Sequence, residues 1–322
     1  MNLTQLKVFR EVMETGSVSQ TAKKLGRTQP AISLAIKNLE KSLDLTLFER
    51  RGRQLVPVPE ARYLMVEATE ILNRVSTVSA TMKGLRSTET GSLNLAAMPG
   101  PSAYIFPKFI SENVATDPQF STTIASRSTP QIRELASTQS IDFGFSDFDE
   151  PVGNNAQYAT QIISANCYCA LHKDHPLAAK DKISVADLDA EPIGKLHGDH
   201  PLTRKLQHAF DAEGARFTSS IAAQFFLPLI PFIALGHCCT ILDPLTLVTE
   251  RELDIAKGQI VFRPFDAPVR YEYAILTPLH RPPSRLATRV KRDWMQTLYE
   301  MLESIGAAPA HHPPLTDEDH AL

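Results

Sequence analysis

At 322 residues and a net charge of −3, the chain has room for two or three compact units, and its total charge argues by itself against a nucleic-acid partner. Its start lacks the charged segment and apolar run of a secretory leader, and its most apolar window, Ala222 to Leu235, is broken by Gln224, Pro228 and Pro231. Four cysteines in a chain this long do not make a disulfide framework, so a cytoplasmic protein without a membrane partner is expected.

The small total hides an asymmetry. Residues 1–62 hold eleven Lys and Arg against six acids, a balance of +5, while the remainder stands at −8. A basic head on an acidic body fits a DNA-binding module joined to a body with another task.

In chain order, the first strong signal is Ser17 to Glu40, SVSQTAKKLGRTQPAISLAIKNLE. Ser17 or Ser19 can cap a short helix through Ala22 to Leu25, and Gly26 gives the backbone freedom needed at its end. Thr28 then caps a second helix with Pro30 in its first turn, where a missing N–H costs nothing. Ile32, Ala35, Ile36 and Leu39 recur at helical spacing and should pack inward, against the first helix and a preceding one around Leu6 and Phe9. The opposite face carries Gln29, Pro30, Ser33, Leu34 and Lys37. Gln pairs with adenine, Ser bonds a base or a phosphate, Leu34 can meet a thymine methyl, and Lys37 suits a phosphate. A double-stranded DNA operator is the expected partner of this face; the alternative is an amphipathic hairpin with a solvated polar side.

Phe48 to Val58, FERRGRQLVPV, reads as a basic hairpin. Arg50 and Arg53 at its tip would reach the DNA backbone or minor groove. From about Pro59 to Ser87 a single helix is predicted. Leu64, Ala68, Ile71, Val75, Val78, Met82 and Leu85 alternate spacings of four and three, an a/d seam that reads as a coiled-coil dimer helix. Packing of this stripe on the chain's own body is the alternative. A dimer would present two reading helices to half-sites about 34 Å apart, hence an inverted-repeat operator.

After a hinge at Thr88 to Gly91 the texture becomes α/β. Apolar runs at Leu93–Ala97, Thr122–Ala125, Ile141–Phe145, Cys167–Leu171, His237–Leu242, Ile260–Phe262 and Ala274–Leu276 alternate with helix candidates at Tyr104–Asn113, Gln131–Thr138, Leu202–Glu213 and Pro283–Glu303. About 210 residues is large for one such lobe, so two are expected. The tail from Gly306, AAPAHHPPLTDEDHAL, has the composition of a disordered segment.

Ligands of open α/β lobes bind at the carboxyl ends of strands. Ser102, in the Pro99–Ser102 turn, and Ser128 and Thr129, before Pro130, would offer hydroxyls and backbone N–H groups to a carboxylate, or serve as plain caps. Asp147 and Asp243 follow strands and could hold an ammonium or guanidinium group; a helix cap or a solvated acid is the alternative. Gly198 and Asp199 would line the second lobe, while Phe225 and Phe226 read as core. Cys167, Cys169, Cys238 and Cys239 read as small buried hydrophobes; a redox sensor on this scaffold is the competing possibility. The spacing implies no metal site. An enzyme stands further behind, because no HExxH, GxSxG or GxGxxG element is present.

These residues also carry a resemblance. Met1-Asn2-Leu3, Phe9, Gly16-Ser17, Thr28 to Ser33, Leu39-Glu40, Leu47 to Arg50, His175 to Ala178 and Val185 to Leu188 together resemble the LysR-type transcriptional regulators over essentially the whole chain. The resemblance implies an α+β multidomain protein. A winged helix-turn-helix (1–58) would lead into a linker and dimerisation helix (59–90) and a periplasmic-binding-protein-like effector domain (91–305). Lobe 1 of that domain would span 91–163 and 268–305, lobe 2 would span 164–267, and a disordered tail (306–322) would follow. It further implies a homodimer or homotetramer, a small-molecule effector, contact with RNA polymerase, and no resident cofactor. Asn94 to Pro99, Asp243 to Thr246 and Pro278 to Pro282 are similar to the branch that controls lysine biosynthesis and octopine or nopaline catabolism, which implies an amino acid or amino-acid conjugate as effector. Position 34, often basic in the family, is leucine here, so the base preference of that face should differ.

Overall fold

The structure is a computed structural model that describes residues 1–51, 54–84, 92–114, 121–148, 156–198 and 200–312. The chain divides into two compact units, Met1–Lys83 and Gly84–Leu322.

The first unit opens with three helices. α1 (Leu3–Thr15) begins at a capping box in which Asn2 and Gln5 satisfy each other's backbone N–H groups, and ends at Gly16, whose φ of 64° favours glycine. α2 (Val18–Lys24) is capped by Ser17, and α3 (Gln29–Leu43) by Thr28 with Pro30 in the first turn. A hairpin follows, β1 (Phe48–Arg51) and β2 (Gln54–Pro57), with Arg50 opposite Leu55. Ile32, Ile36 and Leu39 pack with Leu6, Phe9 and Val12 in one core.

α4 (Pro59–Gly84) departs from the expected seam. Ala68 is fully buried in the core of this unit, with Leu64 half-buried beside it. Leu72, off the predicted seam, completes a 64–68–72 stripe that leans on the three helices together with Ala61 and Met65. The first half of the helix therefore serves its own head, because a 3.6-residue turn carries every fourth residue onto one neighbouring surface. Ile71, Val78 and Met82 remain exposed and Val75 half-buried; Leu85 lies outside the described residues.

The second unit contains β3 (Ser92–Ala97), α5 (Pro99–Ala103), α6 (Ile105–Asn113), β4 (Ser121–Ser126), α7 (Thr129–Ser137), β5 (Phe143–Asp147), β6 (Tyr158–Asn166), β7 (Tyr168–His172) and β8 (Pro192–Leu196). It continues with α8 (Pro201–Glu213), β9 (Thr218–Ala223), α9 (Ile230–Ala234), β10 (Thr240–Leu242), α10 (Pro244–Leu253), β11 (Ile260–Pro264), β12 (Arg270–Pro278), α11 (Arg285–Ser304) and β13 (Ala310–His312). Lobe 1 is built on a mixed sheet of order β13-β6-β12-β5-β3-β4, parallel where β3 meets β4 and β5, antiparallel elsewhere. Lobe 2 holds an antiparallel β10-β7-β11 sheet and a parallel β8-β9 pair, joined by a bridge from Ile193 to Cys239. In lobe 1 Trp294 is fully buried among Phe106, Phe109 and Phe145, with ring centroids 4.8 to 5.1 Å away.

Three expectations are revised. β6 stays in the lobe 1 sheet through Asn166, three residues beyond the expected boundary. α10 follows a strand of lobe 2 yet packs on α5 and α11, and its Glu252 pairs with Lys108 of α6 at 2.7 Å, so it belongs with lobe 1. The tail does not begin at Gly306. Ala307 is buried, the Ala308 carbonyl accepts from Arg270 at 2.6 Å, and β13 adds to the edge of β6, with His311 lying parallel to the ring of Tyr299. A free strand edge recruits any backbone of suitable reach, so local composition misjudged this segment; residues 313–322 lie outside the described residues.

Away from the cleft described below, Arg281 and Asp142 form a buried pair at 2.9 Å, and the other oxygen of Asp142 accepts the Asn94 amide at 2.7 Å. Burial pushes the Asp142 carboxyl up, against the pull of Arg281. Removing one member of such a pair strands a buried charge. Arg281→Leu is expected to cost about 3–5 kcal/mol in urea unfolding at neutral pH, and the loss should shrink in acid, where Asp142 protonates. An unchanged unfolding midpoint would show that the pair does not support the fold.

Candidate functional site

Two surfaces carry chemistry, one on each unit. On the first, α3 presents Gln29, Pro30, Leu34 and Lys37 to solvent, Leu34 at 58% exposure, with Ser33 half-buried at the edge of the same face. Glu40, from the last turns of α3, accepts the amides of Leu47 at 2.8 Å and Phe48 at 3.3 Å, which fixes the first strand of the hairpin against the helix. Arg50 sits on that strand, and Arg53 lies outside the described residues. The sequence reading passed over Lys23 and Arg27, which are exposed just before α3. Lys24 is instead held by Glu11 at 2.5 Å and Glu14 at 3.3 Å. Only the carboxylates on α1, spaced one turn apart, could have separated Lys24 from Lys23 in the sequence.

On the second unit, a cleft of about 330 Å³, its open mouth included, lies where the lobes meet. Lobe 1 contributes Met98 to Pro101, Asp147 and Tyr271; lobe 2 contributes Leu196, His200 and Gln224 to Phe226; Asp243 and Thr246 close the floor. Asp147 stands at the end of β5. Its Oδ1 accepts the Tyr271 hydroxyl, and its Oδ2 receives Thr129 Oγ1 at 3.3 Å and His200 Nε2 at 3.4 Å. His200 caps α8, its Nδ1 accepting the Leu202 amide at 3.2 Å. In the neutral ring the proton therefore sits on Nε2, facing Asp147.

Asp243 has a different role from the one its position suggested. It is 4% exposed and caps α10, where Oδ1 accepts the Leu245 amide at 3.0 Å, the Thr246 amide at 3.2 Å and the Tyr273 hydroxyl at 2.8 Å; Thr246 Oγ1 donates to Oδ2. Its oxygens are committed to the protein, and burial raises its carboxyl above the ordinary range. The same burial pushes the Tyr271 and Tyr273 hydroxyls well up.

The remaining expected residues divide. Ser102 bonds the Pro99 carbonyl at 3.0 Å and Ser126 Oγ at 2.8 Å. The turn before it makes a poor carboxylate seat, since Pro99 and Pro101 have no N–H and the Ser102 amide is bound to Met98. Ser128 caps α7 with Gln131, the plain-cap alternative. Gly198 takes a left-handed φ of 65° close to His200, and Asp199 lies outside the described residues. Sequence reasoning missed His200, Tyr271, Tyr273 and Thr246. Tyr271 and Tyr273, two residues apart on β12, share a face, and that alternation was the available signal. Phe226 is buried as expected, yet it also borders the cleft.

All four cysteines are buried and unpaired. Desolvation pushes the Cys167 thiol up to about 12, and Cys169 and Cys238 are also raised, Cys169 first by its bond to Cys239. Thiols so protonated are poor nucleophiles, which argues against a redox role. Among the described residues no group of His, Cys, Asp and Glu is arranged to hold a metal, and no helix is long and apolar enough to cross a membrane.

The buried Asp243 carries a pH signature. A raised native pKa means the folded state keeps a proton that the unfolded chain loses above the ordinary value of 3.8. The stability it contributes is full below that value and is lost as pH rises through the native value. Relative to wild type, Asp243→Asn should gain stability as pH rises across this window, measured by urea unfolding at a series of pH values. A constant difference between the two proteins would rule out the raised carboxyl.

Comparison with known proteins matches each unit to a family model. Residues 3–62 match the bacterial regulatory helix-turn-helix proteins of the lysR family, and residues 86–298 match the LysR substrate binding domain. The chain is 28% identical to the regulatory protein NocR of Agrobacterium tumefaciens over 295 residues, which is 91% of this chain and 96% of that protein. It is also 28% identical over 195 residues to OccR of Rhizobium meliloti, an octopine catabolism/uptake operon regulatory protein, over 61% of this chain and 64% of that one. Among solved structures, full-length CbnR in complex with its target DNA superposes with a TM-score of 0.68 at 19% identity, covering 91% of this chain and 99% of that one, and so shares the fold. The chain belongs to the LysR family of transcriptional regulators, with a DNA-binding head and an effector-binding body, and is not an enzyme.

Proposed function

We propose that this regulator binds an inverted-repeat operator as a dimer or a dimer of dimers, and that an amino acid or amino-acid conjugate seated between the lobes governs its action. The observation that carries the reading is the cleft itself, bounded by both lobes and holding a carboxylate, an imidazole and aromatic rings. A ligand that contacts both walls favours one lobe arrangement over others, which is the differential affinity a switch requires. The similarity to OccR, an octopine catabolism/uptake operon regulatory protein, supports an amino-acid conjugate as the effector class. The exposed Ile71, Val78 and Met82 of α4 support helix pairing in the second half of that helix. On this reading the protein works in the cytoplasm beside RNA polymerase.

The DNA part is tested by gel shift on operator and random duplexes at several salt concentrations. Gln29→Ala should cost about 1–3 kcal/mol on operator and far less on random DNA. Arg50→Ala should weaken both and reduce the salt slope by about one. Equal losses on both duplexes for Gln29→Ala would remove its base-reading role. The ligand part is tested by thermal shift with amino acids and opines. A ligand at a hundredfold excess over its dissociation constant adds about 2.7 kcal/mol of stability, and no shift across the panel would refute the effector class.

A further inference from the structure

The cleft has a definite charge. Among the described residues that line it, the titratable groups are Asp147, His200, Asp243 and Tyr271, and there is no lysine or arginine. Two cations border the adjoining depression, but each is occupied. Lys205 pairs with Glu272 at 2.5 Å, and Arg270 is spread over Ser164, Asn166 and the Ala308 carbonyl at 2.6 to 3.0 Å.

Asp147 is different. Its three side-chain partners are Tyr271, Thr129 and His200, with no lysine or arginine among them. A carboxylate offers about four acceptor positions, so one is left over, and among the described residues no lysine or arginine pairs with it. The His200 contact is long, at 3.4 Å, and bridges the two lobes. Beside it lie the rings of Tyr271 and Phe226, 6.4 Å apart, and aromatic rings attract a cation held close to them. Asp243 beneath cannot compete for that cation, since its oxygens are committed to α10 and Tyr273.

We propose that the cleft takes a ligand whose side chain bears an ammonium or guanidinium group in addition to any α-amino group, and that Asp147 binds this side-chain cation in exchange for His200, beside Tyr271 and Phe226. The proposal rests on the reading of the cleft as the effector seat. A ligand cation brings a full charge to the carboxylate, so the exchange favours the ligand and frees His200 from Asp147, while the Lys205–Glu272 pair still joins α8 to β12. The ligand thereby opens the His200–Asp147 hydrogen bond, which ties β5 to the start of α8.

The test is isothermal titration of the full chain with matched pairs: L-arginine against L-citrulline, L-lysine against L-norleucine, and octopine, with L-glutamate as the anionic control. The expected result is binding by at least one cationic member, with its neutral isostere at least tenfold weaker. Asp147→Asn should weaken the cationic ligand at least tenfold and erase the preference over the isostere, with circular dichroism checking the fold. His200→Gln, which leaves Asp147 in place, should keep that preference. Should Asp147→Asn fail to fold, the isostere comparison on wild type and on His200→Gln still decides. Preference for the neutral or anionic member overturns the cation site and leaves the amino-acid effector standing, and so does a preference that survives Asp147→Asn. Silence across the whole panel overturns both.

Discussion

The second unit turns on one buried carboxyl. Asp243 caps α10 at the point where the chain leaves a strand of lobe 2 and joins the helices of lobe 1, and it takes the hydroxyl of Tyr273 from the central strand of lobe 1. An acid this deep is tolerated only with its lone pairs filled, and here two amides and two hydroxyls fill them. Because β12 alternates its side chains, fixing Tyr273 also fixes Tyr271 on the same face, with ring centroids 4.9 Å apart. Tyr271 then orients Asp147. The lining of the cleft and the orientation of its Asp147 carboxylate are thus set by a helix cap.

The head was legible in the sequence because its chemistry is local. Caps at Ser17 and Thr28, the turn at Gly26 and the Ile32–Ile36–Leu39 stripe each act within a few residues, and the structure bears them out. The strands of the body were legible where apolar runs are continuous, as at Cys167 to Leu171. Elements set by distant partners were not. α10 reads as part of lobe 2 until Lys108 and α11 are seen to claim it. His200 looks like a surface residue before a proline, and only the fold brings it to Asp147, 53 residues away in sequence. The heptad reading of α4 failed in its first half for the same reason, since an a/d pattern records which residues are apolar and not which surface receives them.

The two units also differ in how they use charge. In the head, cations stand exposed at the start of α3 while Lys24 is neutralised by α1, so positive charge is concentrated beside the polar face of the reading helix. Such an arrangement positions a duplex by long-range attraction before any base is read. In the body, ion pairs fasten secondary elements to one another, while among the described residues Asp147 has no lysine or arginine partner. The contrast separates a surface made for a polyanion from a crevice made for a small molecule.

The short strand β13 has a consequence for solubility. β6 runs nine residues, and its outer edge would otherwise be a row of unpaired amides and carbonyls. Such an edge is a template on which a second chain can pair. Three residues, Ala310 to His312, interrupt that row, and Arg270 and Tyr299 hold them in place. Shortening the chain before this segment would leave the lobe 1 sheet open to edge-to-edge aggregation, a hazard distinct from any loss of DNA or ligand binding.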